Sequence, residues 1–167
     1  MWRSSATLAL CLVMQCSIAA PGFYAASEKW VTSKHQIDGK AAAVRLNAAL
    51  PALVTRGEFG RSLEFIVPFN VHNDRPFPER LDREDLEKVE EAIESHLIDP
   101  GVAIFATIVT VNNAREFLLY VADMARAQAL AEQLVAEIKT HAISFRLKSD
   151  PHWEAWSKFT SESYIQR

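Results

Sequence analysis

The densest chemistry in the chain sits in one loop. In Val71-His72-Asn73-Asp74-Arg75-Pro76, an imidazole, a carboxylate and a guanidinium fall almost side by side. An H-x-D spacing can supply two metal ligands, or a general base with a charge partner that orients it. The same residues also make an ordinary polar turn, with Asp74 bonded to backbone and Arg75 in a surface ion pair. His152 lies between Pro151 and Trp153 and could join that loop if the C-terminal segment packs beside it. Trp153 and Trp156, three residues apart, read as core anchors or as rings that stack on a sugar or a partner side chain. His35 and His141 are isolated, and His96 follows Ile93 at the edge of an apolar stripe. Scattered histidines make no zinc site, so no metal and no cofactor is assigned. The chain also lacks H-E-x-x-H, P-loop, G-x-G-x-x-G, G-x-S-x-G and EF-hand patterns.

Whatever these residues do, regular elements must position them. Trp30 to His35 reads as a strand entering the turn Asp38-Gly39, which supplies the positive φ of a tight hairpin. Ala41 to Leu46 returns as its partner, with an alanine-rich helix as the competing reading and Pro51 ending either. Leu63, Phe65, Val67 and Phe69 alternate with Glu64, Ile66 and Pro68, the period of a strand with one buried face. A helix follows, with Asp82 as N-cap, Asp85 at the capping-box position and Leu81 and Leu86 as a hydrophobic staple. Its apolar stripe is Leu86, Val89, Ile93 and Leu97. Val102 to Val111, the Asn112-Asn113 turn and Arg115 to Val121 form a second hairpin. Asp123 caps another helix carrying Ala127, Leu130, Leu134, Val135 and Ile138. Ala142 to Lys148 is a last alternating strand, and Asp150-Pro151 opens a short helix with Trp153, Trp156 and Phe159.

From Leu63 onward the order is β-α-β-β-α-β. That order predicts an α+β, ferredoxin-like antiparallel sheet with two helices on one face, an added N-terminal hairpin and a C-terminal aromatic helix. The hairpin strand 102–111 is apolar on both faces: Ile104, Ala106 and Ile108 on one, Phe105, Thr107 and Val109 on the other. Two helices cover one face only. The other therefore needs a cover, since bare apolar patches of several hundred square ångström are rare on soluble monomers. The N-terminal hairpin or the Trp153/Trp156 helix could supply it, or else a protein partner or a second copy in a homodimer.

The chain has 167 residues, 49% of them hydrophobic, with a net charge of −3 and two cysteines. These figures fit one globular domain and tell against nucleic acid, which usually selects a basic excess. No basic-aromatic stripe of the kind that stacks RNA bases is present. Trp2 and Arg3, the uncharged run Ala6 to Met14 and the small residues Ser17, Ala19 and Ala20 have the build of a secretory signal peptide. The run is short of the ~20 apolar residues that span a bilayer. Cleavage could follow Ala19, Ala20 or Ala25; a cut after Ala25 would leave residues 26–167 as a single exported, periplasmic or secreted domain, with no membrane attachment after signal cleavage. Both cysteines, Cys11 and Cys16, would leave with the signal, which excludes disulfides and thiol chemistry from the mature chain.

Trp30, Ile37-Asp38-Gly39-Lys40 and Arg45-Leu46 resemble the opening of domain-of-unknown-function family 695. Asn113-Ala114-Arg115-Glu116-Phe117-Leu118-Leu119-Tyr120 resembles that family's turn and following strand. Asp150-Pro151-His152-Trp153-Glu154-Ala155-Trp156 resembles its closing D-x-x-W-x-x-Y element, with Trp156 in place of the tyrosine. The resemblance implies an α+β, ferredoxin-like domain similar to class B regulators of ribonuclease activity, and it carries no catalytic residues. The functional expectation is a non-catalytic exported binding module. Alternatives are a small metal-dependent or hydrolytic enzyme using His72, Asp74 and Arg75, and a periplasmic immunity or inhibitor protein whose acidity suits a basic partner.

Overall fold

The computed structural model describes residues 29–70 and 76–160. Six strands form one antiparallel sheet: β1 (Trp30–Ile37), β2 (Lys40–Asn47), β3 (Arg61–Pro68), β4 (Ala103–Val111), β5 (Ala114–Val121) and β6 (Ser144–Ser149). Among the described residues there are four α-helices: α1 (Leu50–Leu53), α2 (Arg80–Ile93), α3 (Met124–Glu137) and α4 (Glu154–Ser157). A wider π turn, Glu94–Ile98, continues α2. Across the sheet the order is β1-β2-β4-β5-β3-β6.

Local chemistry explains both tight hairpins. Asp38 and Gly39 take φ of 51° and 75°, and Asn112 and Asn113 take 50° and 62°. These left-handed values match the twist of the strands they join. The N-terminal hairpin does not lie over the second face. Instead β2 pairs with β4, from Ala43↔Thr110 to Leu46↔Thr107. The hairpin thereby covers the β4 edge, which would otherwise present unpaired backbone groups to other chains. Pro51 does not end the preceding segment either. It lies in the first turn of α1, where its missing N–H has no helical acceptor to lose.

Helix α2 starts earlier than its sequence signals suggest. Glu79 is the N-cap residue without a side-chain cap, and the Arg83 amide donates to its carbonyl at 2.9 Å. Leu81 therefore falls inside the first turn, 66% exposed, and forms no staple. Asp82 sits beside the free amides of that turn, where a negative charge is favourable. Asp85 pairs with Lys88 at 2.7 Å and is not part of a capping box. Asp123 does cap α3, accepting from the Arg126 amide at 3.1 Å.

One face of the sheet carries the main core. Leu63, Phe65, Val67, Phe105, Ile108, Phe117 and Leu119 meet Leu86, Val89 and Ile93 of α2 and Ala127, Ala131 and Leu134 of α3. The rings of Trp30 and Phe117 flank Phe105 at 6.1 and 6.4 Å between centroids. On the opposite face a smaller core gathers Leu46, Leu50, Val54, Phe59, Ile104, Ala106, Leu118, Tyr120, Trp153 and Trp156. Helices α1 and α4 and the loop around Phe59 thus seal half of that face from within the chain.

A β-bulge redistributes β4 between these two cores. The β4–β5 register slips between Phe105 and Thr107, so Phe105 and Ile108 both join the helical side. Ile104, Ala106, Thr107 and Val109 are left on the other. Strict alternation would have put Phe105 with Thr107 and Ala106 with Ile108. Such an insertion bends a strand and re-aims its side chains. The fully buried Asn47 supports it, donating from Nδ2 to the Phe105 carbonyl at 2.9 Å.

Candidate functional site

The unsealed half of the second face holds the polar groups. Cross-strand register sets Thr107, Leu118, Glu64 and Arg146 in one row across β4, β5, β3 and β6. The next row places Val109 beside Glu116, followed by Ile66 and Ser144. Neighbouring strands lie about 4.8 Å apart, so each row brings its side chains into contact range. The first row, with Val109 and Glu116 of the second, Ser62, Lys148 and the α4 end (Ala155, Lys158, Phe159), lines a recess of about 260 Å³. A second recess of about 350 Å³, lined in part by Ile37, Val111 and Asn112, shares Val109, Glu116 and Phe159 with the first.

Three features make the first recess unlike an ordinary strand surface. Thr107 is 0% exposed, and its hydroxyl has no hydrogen-bond partner among the described residues. A buried hydroxyl left unpaired costs roughly 1–3 kcal/mol. Burial pushes the Glu116 carboxyl above its usual range, and the Glu64 charge adds to this while Arg146 opposes it. Arg146 is committed elsewhere, donating from Nε to Glu64, which raises its own pKa. Lys148 and Lys158 reach the same recess and form no ion pair among the described residues.

The residues singled out from sequence lie elsewhere. His72, Asp74 and Arg75 fall outside the described residues. His152 is exposed in the turn before α4. Trp153 and Trp156 are 1% and 9% exposed, packed at 6.0 Å from each other, with Tyr120 5.2 Å from Trp153. Trp153 Nε1 donates to the Phe59 carbonyl at 2.7 Å, and Arg56 lies 5.4 Å above the ring. Asp150 organises this layer. Its carboxylate accepts from Tyr120 Oη at 2.7 Å and from the Glu154 and Ala155 amides at 2.8 and 3.0 Å. Burial alone would raise its pKa, but these donors outweigh burial and hold the carboxyl below the usual range. Burial likewise pushes the Tyr120 phenol far above its usual range, with the Asp150 bond adding to it.

This latch demands a close backbone approach. The Asp150 amide donates to the Gly60 carbonyl at 2.9 Å, and a Cβ on Gly60 would meet the Arg56 carbonyl at 2.9 Å. On the helical side, Arg45 Nη1 contacts both oxygens of Glu90 at 2.8 and 3.1 Å, and its guanidinium lies 4.8 Å from the Trp30 ring centre. Trp30, Arg45, Tyr120, Asp150, Trp153 and Trp156 are thus tied into packing.

Reading the sequence for motifs missed the recess residues, apart from their place in strand alternation. A usable signal was present: Glu64 stands between Leu63 and Phe65 in an apolar run, and Glu116 directly precedes the apolar run Phe117 to Val121. What could not be read was the register between β3 and β5, which sets the two carboxylates on one patch. Among the described residues no group of three His, Cys, Asp or Glu side chains could hold a metal ion. No helix there is long and apolar enough to cross a membrane.

No curated protein and no solved structure matches the chain. A family model matches residues 28–160, most of the chain and all of the described residues, including every element that builds the recess. The chain belongs to DUF695, a family of unknown function.

Proposed function

We propose that this is an exported, non-catalytic binding module whose site is the open half of the second sheet face. The observation that carries the reading is Thr107, fully buried with its hydroxyl unpaired among the described residues, in the lining of a recess rimmed by charges of both signs. A strand bulge puts Thr107 on this face, and bulges are over-represented beside functional sites. The mixed charges suit a small polar ligand better than a flat apolar partner surface or a second copy of the chain. We read β3-α2-β4-β5-α3-β6 as a ferredoxin-like unit extended by the β1–β2 hairpin. Its support is the strand order β4-β5-β3-β6, with both long helices packed against the same side.

Export rests on the composition of residues 1–25, a short basic start followed by an uncharged apolar run and small residues. The family match begins only at residue 28, beyond that segment. Cell fractionation with N-terminal sequencing tests it: a mature chain starting near Ala26 outside the cytoplasm is expected. A full-length cytoplasmic product would refute export. For the site, an amide NMR titration with amino acids, sugars, amines, carboxylates and phosphates should move the resonances of Thr107, Glu116 and Leu118. A panel that leaves those resonances unmoved would refute the binding site.

A further inference from the structure

Resting on that reading of the recess, we infer that its ligand is an uncharged sugar. Charge is interleaved across the recess, which has no cationic or anionic end. The Glu64–Arg146 ion pair lies in the row between Glu116 and Lys148. The adjoining recess carries both Asp38 and Lys40, and the Lys40 ammonium donates to Asn112. A ligand cation in the first recess would meet Arg146, Lys148 or Lys158, and an anion would meet Glu64 or Glu116. Arg146 already acts on both carboxylates: it donates to Glu64, and its charge opposes the rise that burial imposes on the Glu116 pKa. The Glu116 carboxylate accepts no hydrogen bond among the described residues, so it lacks donors more than it lacks a counter-ion.

A hydroxyl group donates one hydrogen bond and accepts two, so a sugar meets carboxylates and cations alike around its ring. Its hydroxyls can donate to Glu116 and accept from Lys148, Lys158 or the remaining N–H groups of Arg146. Such charge-assisted bonds are about twice as strong as neutral ones. Val109, Leu118 and Phe159 supply apolar contact for the C–H face of the ring. A peptide is the other neutral ligand rich in donors and acceptors. It gains main-chain bonds at a sheet edge, and β4, β5 and β3 are interior strands with neighbours on both sides. At about 260 Å³ the first recess is smaller than the usual site for a drug-sized molecule. The adjoining recess of about 350 Å³ shares Val109, Glu116 and Phe159 with it, which leaves room for a second, linked ring.

Amide NMR titration of the purified protein with D-glucose, D-galactose and D-mannose, each beside its amino sugar and its uronic acid, varies charge on an unchanged ring. At least one neutral hexose should shift the Thr107, Glu116 and Leu118 resonances. It should bind about tenfold tighter than either charged counterpart, because like charges meet in both of those. Maltose, lactose or mannobiose, whichever carries that hexose, should bind about tenfold tighter again by reaching the adjoining recess. Glu116→Gln should weaken hexose binding about tenfold, the worth of one charge-assisted hydrogen bond. Thermal melting of the variant, unchanged or higher, checks that its fold persists, and the hexose series on the parent protein decides without it. An amino sugar or uronic acid binding as tightly as its neutral hexose would overturn the inference. If only an amino acid, a blocked dipeptide, an amine or a phosphate shifts these resonances, the ligand class is wrong and the binding site stands. If no compound shifts them, both fall.

Discussion

The two faces of one sheet are sealed by different physics. On the helical face, Phe65, Phe105, Phe117 and Leu119 meet the stripes of α2 and α3 in a continuous apolar layer. On the other face, part of the area is closed by Tyr120, Trp153 and Trp156 around the Asp150 carboxylate, and the rest carries a small apolar cluster of Ala42, Val44, Val109 and Val111 beside charged side chains. The first face is bound by burial, which is non-directional and tolerates variation in shape. The second is bound by a small set of directional bonds. It leaves the Thr107 hydroxyl and the Trp156 indole N–H without partners among the described residues, a loss of stability of the kind that binding sites retain.

Truncating Phe105 tests the first half of the contrast. Phe105→Ala should cost about 3–5 kcal/mol in denaturant unfolding, as a large cavity between Trp30 and Phe117 requires. A loss below about 2 kcal/mol would mean that the helical face is not the principal core.

A smaller but pH-dependent effect should follow from the latch. Asp150→Asn keeps the shape but weakens the bonds from Tyr120 and the α4 amides, for about 1–3 kcal/mol at neutral pH. The sign comes from the lowered Asp150 pKa. A carboxyl depressed in the folded state adds stability above its unfolded value, near 3.9, and loses it as pH falls through the folded value. The parent protein should therefore lose stability below about pH 4 more steeply than Asp150→Asn. Parallel acid titrations monitored by near-ultraviolet circular dichroism would decide it, and identical curves would remove Asp150 from the account.

The smallest effect sharpens the contrast most. Thr107→Val replaces the unpaired hydroxyl with a methyl of similar size. It should leave stability unchanged or raise it by up to about 1 kcal/mol, whereas a paired buried hydroxyl would lose about that much. A destabilisation of 1 kcal/mol or more would show that the hydroxyl is already paired in the folded chain.

Much of the scaffold was legible because it depends on local chemistry. Asp38-Gly39 and Asn112-Asn113 demand left-handed backbone, which limits them to tight turns whatever surrounds them. Alternation along Leu63, Phe65 and Val67 and the spacing of Leu86, Val89 and Ile93 identify strand and helix by period. The motif residues Trp30, Arg45, Asp150 and Trp153 were visible too, although their work as packing and latching groups was not. The start of α2 was misplaced because Asp82 and Leu81 imitate capping signals that Glu79 and Arg80 pre-empt by opening the helical bonds earlier.

The sequence by itself determined the α+β class, the order of elements and the turns, since those rest on neighbours within a few positions. Tertiary structure alone decided which groups meet. The slip between Phe105 and Thr107 has no local marker, because it depends on pairing with β5 and on Asn47, 58 residues away, reaching the Phe105 carbonyl. The meeting of Glu64 with Glu116 and of Tyr120 with Asp150 likewise required strands distant in the chain to become neighbours. Periodicity assigns a side chain to a face, and only the register across the sheet says what it will find there.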